Sequence, residues 1–256
     1  MNKAEENNPI FYAECFKQIG TTHLNCNMDS DDVIYTSEKS QLLFYGLADG
    51  QSGKRYCRKG AETVLEAIGE YIQDRKIHDL SQYRHIDEIQ YEIIRIVREK
   101  LGNLSLENQV KTTEFASTIL AMGIDPTTGQ YMTIHLGDGG ILGKRSDGSL
   151  NLISAPENGI TSKYTWLTTS EGALLHLRIG FGQISNYNQV VMFTDGAEAI
   201  CRGTNIGVGI RRILNESGEA SQLAEMICDS RPSDDATFIS IDCKKMSENL
   251  KDKWLA

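Results

Sequence analysis

Acidic residues stand at the ends of apolar runs at four places in this chain of 256 residues. Runs of this length are typical of buried β-strands, whose ends lie at the rim of a sheet. Carboxylates that arrive from distant parts of a chain repel each other unless a cation lies between them, and hard divalent cations prefer oxygen ligands. The pattern therefore favours a divalent-metal site. The acids are Asp49 after residues 42–48, Asp138 after 132–137, Asp195 after 190–194, and Asp234-Asp235 before 236–241.

The alternative is that these residues are turn carboxylates that cap backbone N–H groups. Each Asp-Gly pair taken alone fits that alternative, so the metal hypothesis depends on the acids occurring together. An EF-hand loop starting at Asp29 is excluded, because Ile34 and Ser40 occupy the positions where such a loop requires Gly and Glu.

The chain lacks the motifs of several other catalytic sites. It contains no GxSxG elbow and no GxxxxGK[ST] loop, and neither Cys57 nor Cys201 has the CxxxxxR spacing of a phosphate-cradling cysteine. Two hard cations lower the pKa of a shared water and neutralise a phosphoryl group under attack. That chemistry needs no nucleophilic side chain, so it fits this chain.

Composition and charge limit the classes of partner. The chain carries 26 Lys and Arg against 35 Asp and Glu, a formal net charge of −9, without the basic cluster that a nucleic-acid partner requires. No apolar run reaches membrane-spanning length and residues 1–8 are polar, so a cytoplasmic protein without a membrane span is predicted. The six cysteines are scattered without a CxxC pair, which predicts reduced thiols.

Two long amphipathic helices are predicted after the Gly-rich turn that follows Asp49. Residues 61–72 and 86–101 keep the three–four spacing of apolar side chains that is typical of a core-facing helix. Residues 10–19 fit either a first strand or a short helix. Two short helices are expected over residues 206–214 and 220–228.

Strand patterns dominate the middle of the chain. Residues 131–136 alternate, residues 141–144 and 150–153 flank a hairpin turn, and 173–179 alternate within the irregular segment 154–188. This order lacks the strand–helix alternation of a parallel sheet, so an α+β arrangement of antiparallel sheets is predicted. No repeat or linker divides the chain, which favours one domain.

Taken in order, the motifs resemble those of the metal-dependent serine/threonine protein phosphatases of type 2C (PPM-like), over roughly residues 18–242. The resemblance implies a four-layer αββα sandwich, with two antiparallel β-sheets flanked by helix pairs. It implies a phosphatase domain over residues 1–245 and a polar C-terminal tail over 246–256. The motifs are Asn27-Met28-Asp29, Ala48-Asp49-Gly50-Gln51-Ser52-Gly53, the Thr/Ser-rich strand 113–118, Leu136-Gly137-Asp138, Phe193-Thr194-Asp195-Gly196 and Asp234-Asp235-Ala236-Thr237.

The resemblance assigns roles to the matching residues. It implies that Asp49 bridges two Mg2+ or Mn2+ ions. Asp195 and Asp234 would hold the first ion, and the Gly50 carbonyl would hold the second, partly through water. These three carboxylates are accordingly the implied catalytic acids.

The resemblance also implies supporting roles. Asp29 would support the second ion, and Asp138 would help Asp195 to hold a weaker third ion. The irregular segment 154–188 falls where the family carries its variable substrate-side flap.

Three positions depart from the family pattern. Gln51 replaces the usual His that protonates the leaving group, and loss of a general acid typically costs about 10²–10⁴ in rate. Met28 replaces an acidic or amide residue, which weakens the surroundings of the second metal. The expected phosphate-binding Arg is missing from residues 22–25. His23 is a candidate to replace it in phosphate binding or proton donation, with a structural role as the alternative.

Three functions are compatible with the sequence. The first is a phosphoprotein (Ser/Thr) phosphatase that acts through a metal-activated water, and the intact carboxylate set favours it. This function predicts a phosphoprotein substrate, pairing with a kinase, and a signalling monomer. The second is a catalytically weakened or inactive regulatory protein on the same fold, suggested by Gln51, Met28 and the missing Arg. The third is a phosphatase of small phosphate esters.

Overall fold

The computed structural model of the protein describes residues 12–39, 42–82, 85–158, 164–201 and 220–246. Within these ranges the strands are β1 Ala13–Gln18, β2 Val33–Lys39, β3 Leu42–Ala48, β4 Ile119–Ile124, β5 Gln130–Leu136, β6 Gly140–Lys144, β7 Leu150–Ser154, β8 Arg178–Gln183, β9 Gln189–Phe193 and β10 Ala236–Asp242. The α-helices are α1 Thr21–Asn25, α2 Cys57–Arg75, α3 Ile77–Ser81, α4 Ile86–Asn108, α5 Ala173–His176, α6 Asp195–Cys201 and α7 Ala220–Ser230.

The chain divides into two compact units, each with one five-stranded antiparallel sheet. The first unit comprises Met1–Asp32, Gly139–Ile153 and Ser185–Ala256, and the second comprises Val33–Asp138 and Ser154–Ile184. The sheet orders are β1-β10-β9-β6-β7 and β2-β3-β4-β5-β8. The predicted α+β class with two antiparallel sheets is therefore confirmed, while the domain limits of 1–245 and 246–256 stay a prediction.

The core of the second unit is formed by β3, β4 and β5 together with α2 and α4. Every residue of β3 is buried, as its unbroken apolar run predicts, and the Phe44 side chain is fully buried. The two predicted long helices are confirmed, and α2 packs against both α4 and the sheet. Their buried stripes, which include Ile68 and Ile93, meet Phe44 in one apolar cluster. This packing holds the C-terminal end of β3, where Asp49 follows.

The core of the first unit lies between its sheet and the helices α6 and α7. Leu223 and Ile227 of α7 join Val191 and Phe238 of the central strands in one buried cluster. Residues 220–228 were predicted to be helical, and α7 confirms that prediction. The central strands β9 and β10 are thereby fixed at the ends that carry Asp195 and Asp234.

Two predicted strands are wrong in part. Residues 173–179 begin as the helix α5, because Ala173 and Leu177, four positions apart, are the fully buried residues while Leu175 is 84% exposed. Thr112–Phe115 form a 3₁₀ helix, and the strand β4 begins only at Ile119. In both cases a helical turn brings a buried side chain (Leu177 or Phe115) to the core.

The described residues test several other predictions made from the sequence. The segment 10–19, predicted to be a strand or a helix, contributes the strand β1. The hairpin of β6 and β7 agrees with the prediction. The predicted helix at 206–214 and the tail 247–256 lie outside the described residues. In the described part of the chain, no helix is both long and apolar enough to cross a membrane.

Candidate active site

The predicted acids of the first unit lie at one edge of its sheet. β9 and β10 pair antiparallel, and beyond the last pair the Thr194 amide donates to the Thr237 carbonyl at 3.0 Å. Asp195 follows Thr194 directly and begins α6. A Cβ on Gly196 would lie 1.9 Å from the Asp235 carbonyl oxygen, so only glycine allows this close approach. The pairing thus places Asp195 at the same end of the two strands as Asp234 and Asp235.

A buried carboxylate that the sequence analysis did not select lies beneath this edge. Asp32 is 1% exposed, and its Oδ2 accepts hydrogen bonds from the hydroxyls of Thr237 at 2.5 Å and Thr194 at 3.2 Å. Burial raises the pKa of Asp32 well above its usual range, and the negative charges of Asp235 and Asp195 add to the rise. Asp32 therefore links, through hydrogen bonds, the two strand ends that carry the predicted ligands.

Asp235 anchors the loop that leads to β2. Its Oδ1 accepts from the Gly20 amide at 2.8 Å, and its Oδ2 accepts from the Asp31 amide at 2.7 Å and contacts His23 Nδ1 at 3.0 Å. Burial alone would raise the pKa of Asp235, but these hydrogen bonds outweigh it and the pKa is lowered. The adjacent Asp234 is exposed, so its carboxylate remains accessible to a ligand.

His23 lies between two carboxylates and is 8% exposed. Its Nε2 is 3.3 Å from Asp31 Oδ2, and its Nδ1 faces Asp235. Burial lowers the pKa of His23, but the hydrogen bond to Asp235 and the charges of Asp235 and Asp31 more than compensate, so the pKa is raised. Both ring nitrogens therefore interact with protein carboxylates. Asp29, two residues before Asp31, lies exposed in the loop between α1 and β2.

In the second unit, the Asp49 turn is held by backbone and hydroxyl groups. The Asp49 amide donates to Thr118 Oγ1 at 2.8 Å, and the Thr118 amide donates to the Asp49 carbonyl at 2.9 Å. Gly50 forms an isolated β-bridge with Ser117, and the Gln51 amide donates to the Ala116 carbonyl at 2.9 Å. The Asp49 carboxylate is half-buried, whereas the Gln51 side chain is exposed.

The Asp138 turn lies against the Asp49 turn through the same threonine. Gly137 has a φ of +123°, and a Cβ there would lie 2.6 Å from the Thr118 methyl carbon, so this position requires glycine. The Thr165 hydroxyl donates to Asp138 Oδ2. Asp49 and Asp138 are thus carried by neighbouring turns that share Thr118.

The donor chemistry of these residues fits a hard divalent cation. The predicted ligands are carboxylate oxygens at strand ends and one carbonyl oxygen in a glycine turn, the ligand types that Mg2+ and Mn2+ prefer. Within the described residues, no three His, Cys, Asp or Glu side chains are grouped closely enough to hold a metal ion. The ligand set implied by the family resemblance (Asp49, Gly50, Asp195 and Asp234, with Asp29 and Asp138 in supporting roles) stays a prediction.

Sequence reasoning missed the residues that hold the acids in position. Asp32 had a detectable signal, since it directly precedes the strand β2, but Asn27-Met28-Asp29 matched the Asn-x-Asp motif of the family. Thr118, Thr194 and Thr237 each stand next to a predicted motif or within it. Their hydroxyl contacts depend on strand pairing, which residue types alone do not reveal.

Comparisons with known proteins agree with this architecture. The family model described as "Protein phosphatase 2C" matches residues 19–250. No curated protein matches the chain at a significant level. The solved structure of the serine/threonine phosphatase Stp1 from Staphylococcus aureus is similar, with a TM-score of 0.65 and 14% identity over 94% of this chain and 98% of that one.

Two further solved structures resemble the chain and contain metal. The catalytic domain of the serine/threonine phosphatase PstP, in complex with two manganese ions, gives a TM-score of 0.62 at 16% identity, over 90% of this chain and 96% of that one. RsbX in complex with magnesium gives 0.59 at 13% identity, over 94% and 98%. At these identities the structures show the fold, and the family model shows the family. The chain belongs to the protein phosphatase 2C family of metal-dependent serine/threonine protein phosphatases.

Proposed function

We propose that this protein removes phosphate from phosphoserine and phosphothreonine in proteins, with Asp49, Asp195 and Asp234 as its principal metal ligands. The observation that carries the proposal is the placement of these acids at strand ends, each beside a turn fixed by hydrogen bonds, in a chain whose family model spans residues 19–250. Mg2+ or Mn2+ bound there would lower the pKa of a water and neutralise the phosphoryl group.

The residues of the chain supply binding and orientation. The backbone of the Asp49–Gly50 turn is held by Thr118 and Ala116 through hydrogen bonds of the Asp49 amide, the Asp49 carbonyl and the Gln51 amide, so the turn is fixed before a cation arrives. Asp195 is held by the start of α6 against Asp235. Asp29 and Asp138 are proposed as weaker ligands, for the second ion and for a third ion. Fixed oxygens bind a cation with less loss of entropy than mobile ones.

His23 remains a proposed catalytic residue, for phosphate binding or proton donation. The contacts of its ring with Asp31 and Asp235 support the structural alternative instead, since both nitrogens already face carboxylates. Gln51 cannot donate a proton usefully, so substrates with good leaving groups are favoured. Replacement of His23 by Gln separates the two roles, because loss of a proton donor lowers kcat without lowering the melting temperature.

The test is hydrolysis of para-nitrophenyl phosphate with Mn2+ and with EDTA. Wild type is expected to turn over only with Mn2+, and Asp49→Asn to be inactive. Gln51→His should be faster on phosphoserine peptides, whose poor leaving group needs the restored acid, and should gain little on para-nitrophenyl phosphate. Asp74→Asn, at an exposed position of α2, is the matched control and should retain the wild-type rate. A silent wild type that still binds Mn2+ by calorimetry would favour the weakened regulatory protein.

The physiological setting is part of the same proposal. We expect a phosphoprotein substrate that a partner kinase phosphorylates, a monomeric state and a cytoplasmic location. A panel of phosphopeptides and small phosphate esters, assayed side by side, tests the substrate class. Light scattering during size-exclusion chromatography tests the monomer, which a mass of about twice 28.5 kDa would contradict.

A further inference from the structure

The segment that follows β7 makes two side-chain contacts with the acid-bearing turns of its own unit. Thr165 and Thr168 are three residues apart in this segment, which links β7 to α5. The Thr165 hydroxyl donates to the Asp138 carboxylate. The Thr168 hydroxyl accepts from the Ser117 amide at 3.2 Å. One short segment therefore reaches both the Asp138 turn and the residue that pairs with Gly50 beside Asp49.

The contact of Thr168 with Ser117 is reciprocal and buried. The Thr168 amide donates to the Ser117 carbonyl at 2.9 Å, so both backbone polar groups of Ser117 are satisfied by one residue. Thr168 and Ser117 are both 0% exposed. A buried backbone N–H group that loses its hydrogen-bond partner lowers the stability of the protein, because no water replaces the lost bond. Thr168 therefore fixes the backbone of Ser117 strongly.

Ser117 is the residue that pairs with Gly50. The β-bridge between them lies next to the hydrogen bonds that join Asp49 to Thr118. The neighbours of Ser117 carry the bonds of this bridge, from the Thr118 amide to the Asp49 carbonyl and from the Gln51 amide to the Ala116 carbonyl. A shift of Ser117 would therefore displace the turn that contains Gly50, whose carbonyl the proposed function assigns to the second metal ion. The chain of contacts thus runs from Thr168 through Ser117 and its neighbours to the backbone of the Asp49–Gly50 turn.

The segment itself is anchored in the second unit. The Trp166 ring stacks on His176 of α5, with ring centroids 3.8 Å apart, and Ala173 and Leu177 are buried in the apolar cluster of that unit. Glu157, near the start of the segment, donates its amide to the Gly137 carbonyl at 2.9 Å and pairs with His176. Because both ends are held by the core, the two threonines are presented at fixed positions.

We propose that Thr165 and Thr168 are positioning residues that hold the Asp138 and Asp49–Gly50 turns in their metal-binding arrangement. The proposal rests on the proposed function, since it gives those turns a metal to bind. It assigns to the segment after β7 a role in metal affinity, beyond the substrate contact implied by its location in the family pattern. Neither threonine touches substrate or metal in this role.

The experiment compares Thr168→Val with Thr168→Ser. Valine keeps the shape and removes the acceptor for the Ser117 amide, whereas serine retains that acceptor. For Thr168→Val, the Mn2+ dissociation constant measured by calorimetry is expected to rise about threefold to tenfold, with KM for para-nitrophenyl phosphate unchanged at saturating Mn2+. Thr168→Ser should restore wild-type affinity. Thr165→Val should weaken only the weakest Mn2+-binding phase, and Thr165→Ser should restore it.

A second readout needs neither metal nor activity. In the metal-free protein, hydrogen exchange of the Ser117 and Gln51 amides should accelerate in Thr168→Val and not in Thr168→Ser. Thr133→Val is the matched control, because Thr133 is a 3% exposed threonine of β5 whose hydroxyl makes only a 3.5 Å contact with the Gly180 carbonyl. It should leave exchange at both amides and Mn2+ affinity as in wild type.

The outcomes separate this inference from the proposed function. Unchanged exchange and Mn2+ affinity in Thr168→Val would overturn the positioning role, as would equal losses in Thr168→Ser or Thr133→Val. If wild type binds Mn2+ without hydrolysis, the proposed function fails while Mn2+ affinity still decides the inference. If wild type binds no Mn2+, both fail.

Discussion

The two units hold their acidic residues by different physical means. In the first unit the acids lie in a charged network, where Asp235 interacts with His23 and Asp32 is buried beneath the strand ends. In the second unit the Asp49 and Asp138 turns are held by neutral groups, the hydroxyls of Thr118 and Thr165 and the neighbouring backbone. Charge networks depend on protonation, whereas amide–hydroxyl bonds do not. We therefore expect the first unit to respond to pH and the second to steric change.

The largest expected effect separates two adjacent acids of the first unit. Asp235→Asn removes a buried charge that His23 and two backbone amides depend on, and we expect it to lower the free energy of unfolding by about 2–4 kcal/mol. Asp234→Asn, at an exposed position, should stay within about 0.5 kcal/mol of wild type while it loses Mn2+ affinity.

Urea unfolding in EDTA, together with calorimetric Mn2+ titration, measures both quantities. Equal loss of stability in the two variants would contradict the distinction drawn between a structural and a metal-binding aspartate. The comparison needs no assumption about catalysis.

Glycine substitutions test the close contacts of each unit. Gly196→Ala places a Cβ 1.9 Å from the Asp235 carbonyl oxygen, and Gly137→Ala combines a φ of +123° with a clash against Thr118. Each should cost about 1–3 kcal/mol of stability. Gly102→Ala in α4, where nothing lies within 4 Å of the new Cβ, is the control and should stabilise the protein by up to about 1 kcal/mol. Thermal unfolding distinguishes the three, and neutral behaviour of Gly137→Ala would show that the Asp138 turn is less tightly packed than described.

Removal of a single hydroxyl tests the neutral arrangement of the second unit. Thr118→Val leaves the Asp49 amide without its acceptor, which should cost about 1 kcal/mol of stability at any pH between 6 and 8. Thr118→Ser retains the acceptor and serves as the control. A loss that changed with pH would indicate that charge also holds this turn.

The smallest effect is the pH dependence of the metal-free protein. The pKa of His23 is raised on folding, so its stabilising contribution is complete below about pH 6.5 and is lost as the pH rises through the folded pKa. The pKa of Asp32 is also raised, so ionisation of Asp32 in the unfolded state opposes folding increasingly above about pH 4. Stability should therefore fall as the pH rises from about 4 to about 8, and His23 adds to the slope above about pH 6.5. His23→Gln should flatten that slope, as melting temperatures in EDTA can measure, and an unchanged slope would assign the effect elsewhere.

The sequence predicted the elements whose patterns were long and regular. β3, α2 and α4 each have apolar patterns of many residues, so their burial and type followed from periodicity. The α5 region was assigned the wrong period, because four residues of helix fit an alternating pattern as well as a helical one. The structure shows a helix there, because Ala173 and Leu177 are buried while Leu175 is exposed.

The sequence was sufficient to predict the acidic residues of the candidate site, but it did not predict the contacts that those residues make. Asp49, Asp138, Asp195 and Asp234 were selected because each ends or begins an apolar run. The different environments of Asp234 and Asp235, which are adjacent in sequence, arise from contacts with Gly20 and His23, more than two hundred residues away. Such pairings depend on the fold, so residue type and spacing do not supply them.

The pairing of β1 with β10 has a consequence for biosynthesis. These strands are the first and the last that the structure describes, and they lie side by side in the first unit. Most of the second unit comes from one continuous stretch, so it can assemble while the ribosome is still adding the rest of the chain. Until β10 emerges, β1 and β9 have exposed edges that can pair with other chains. Nascent chains stalled before residue 236 are therefore the species that most need a chaperone.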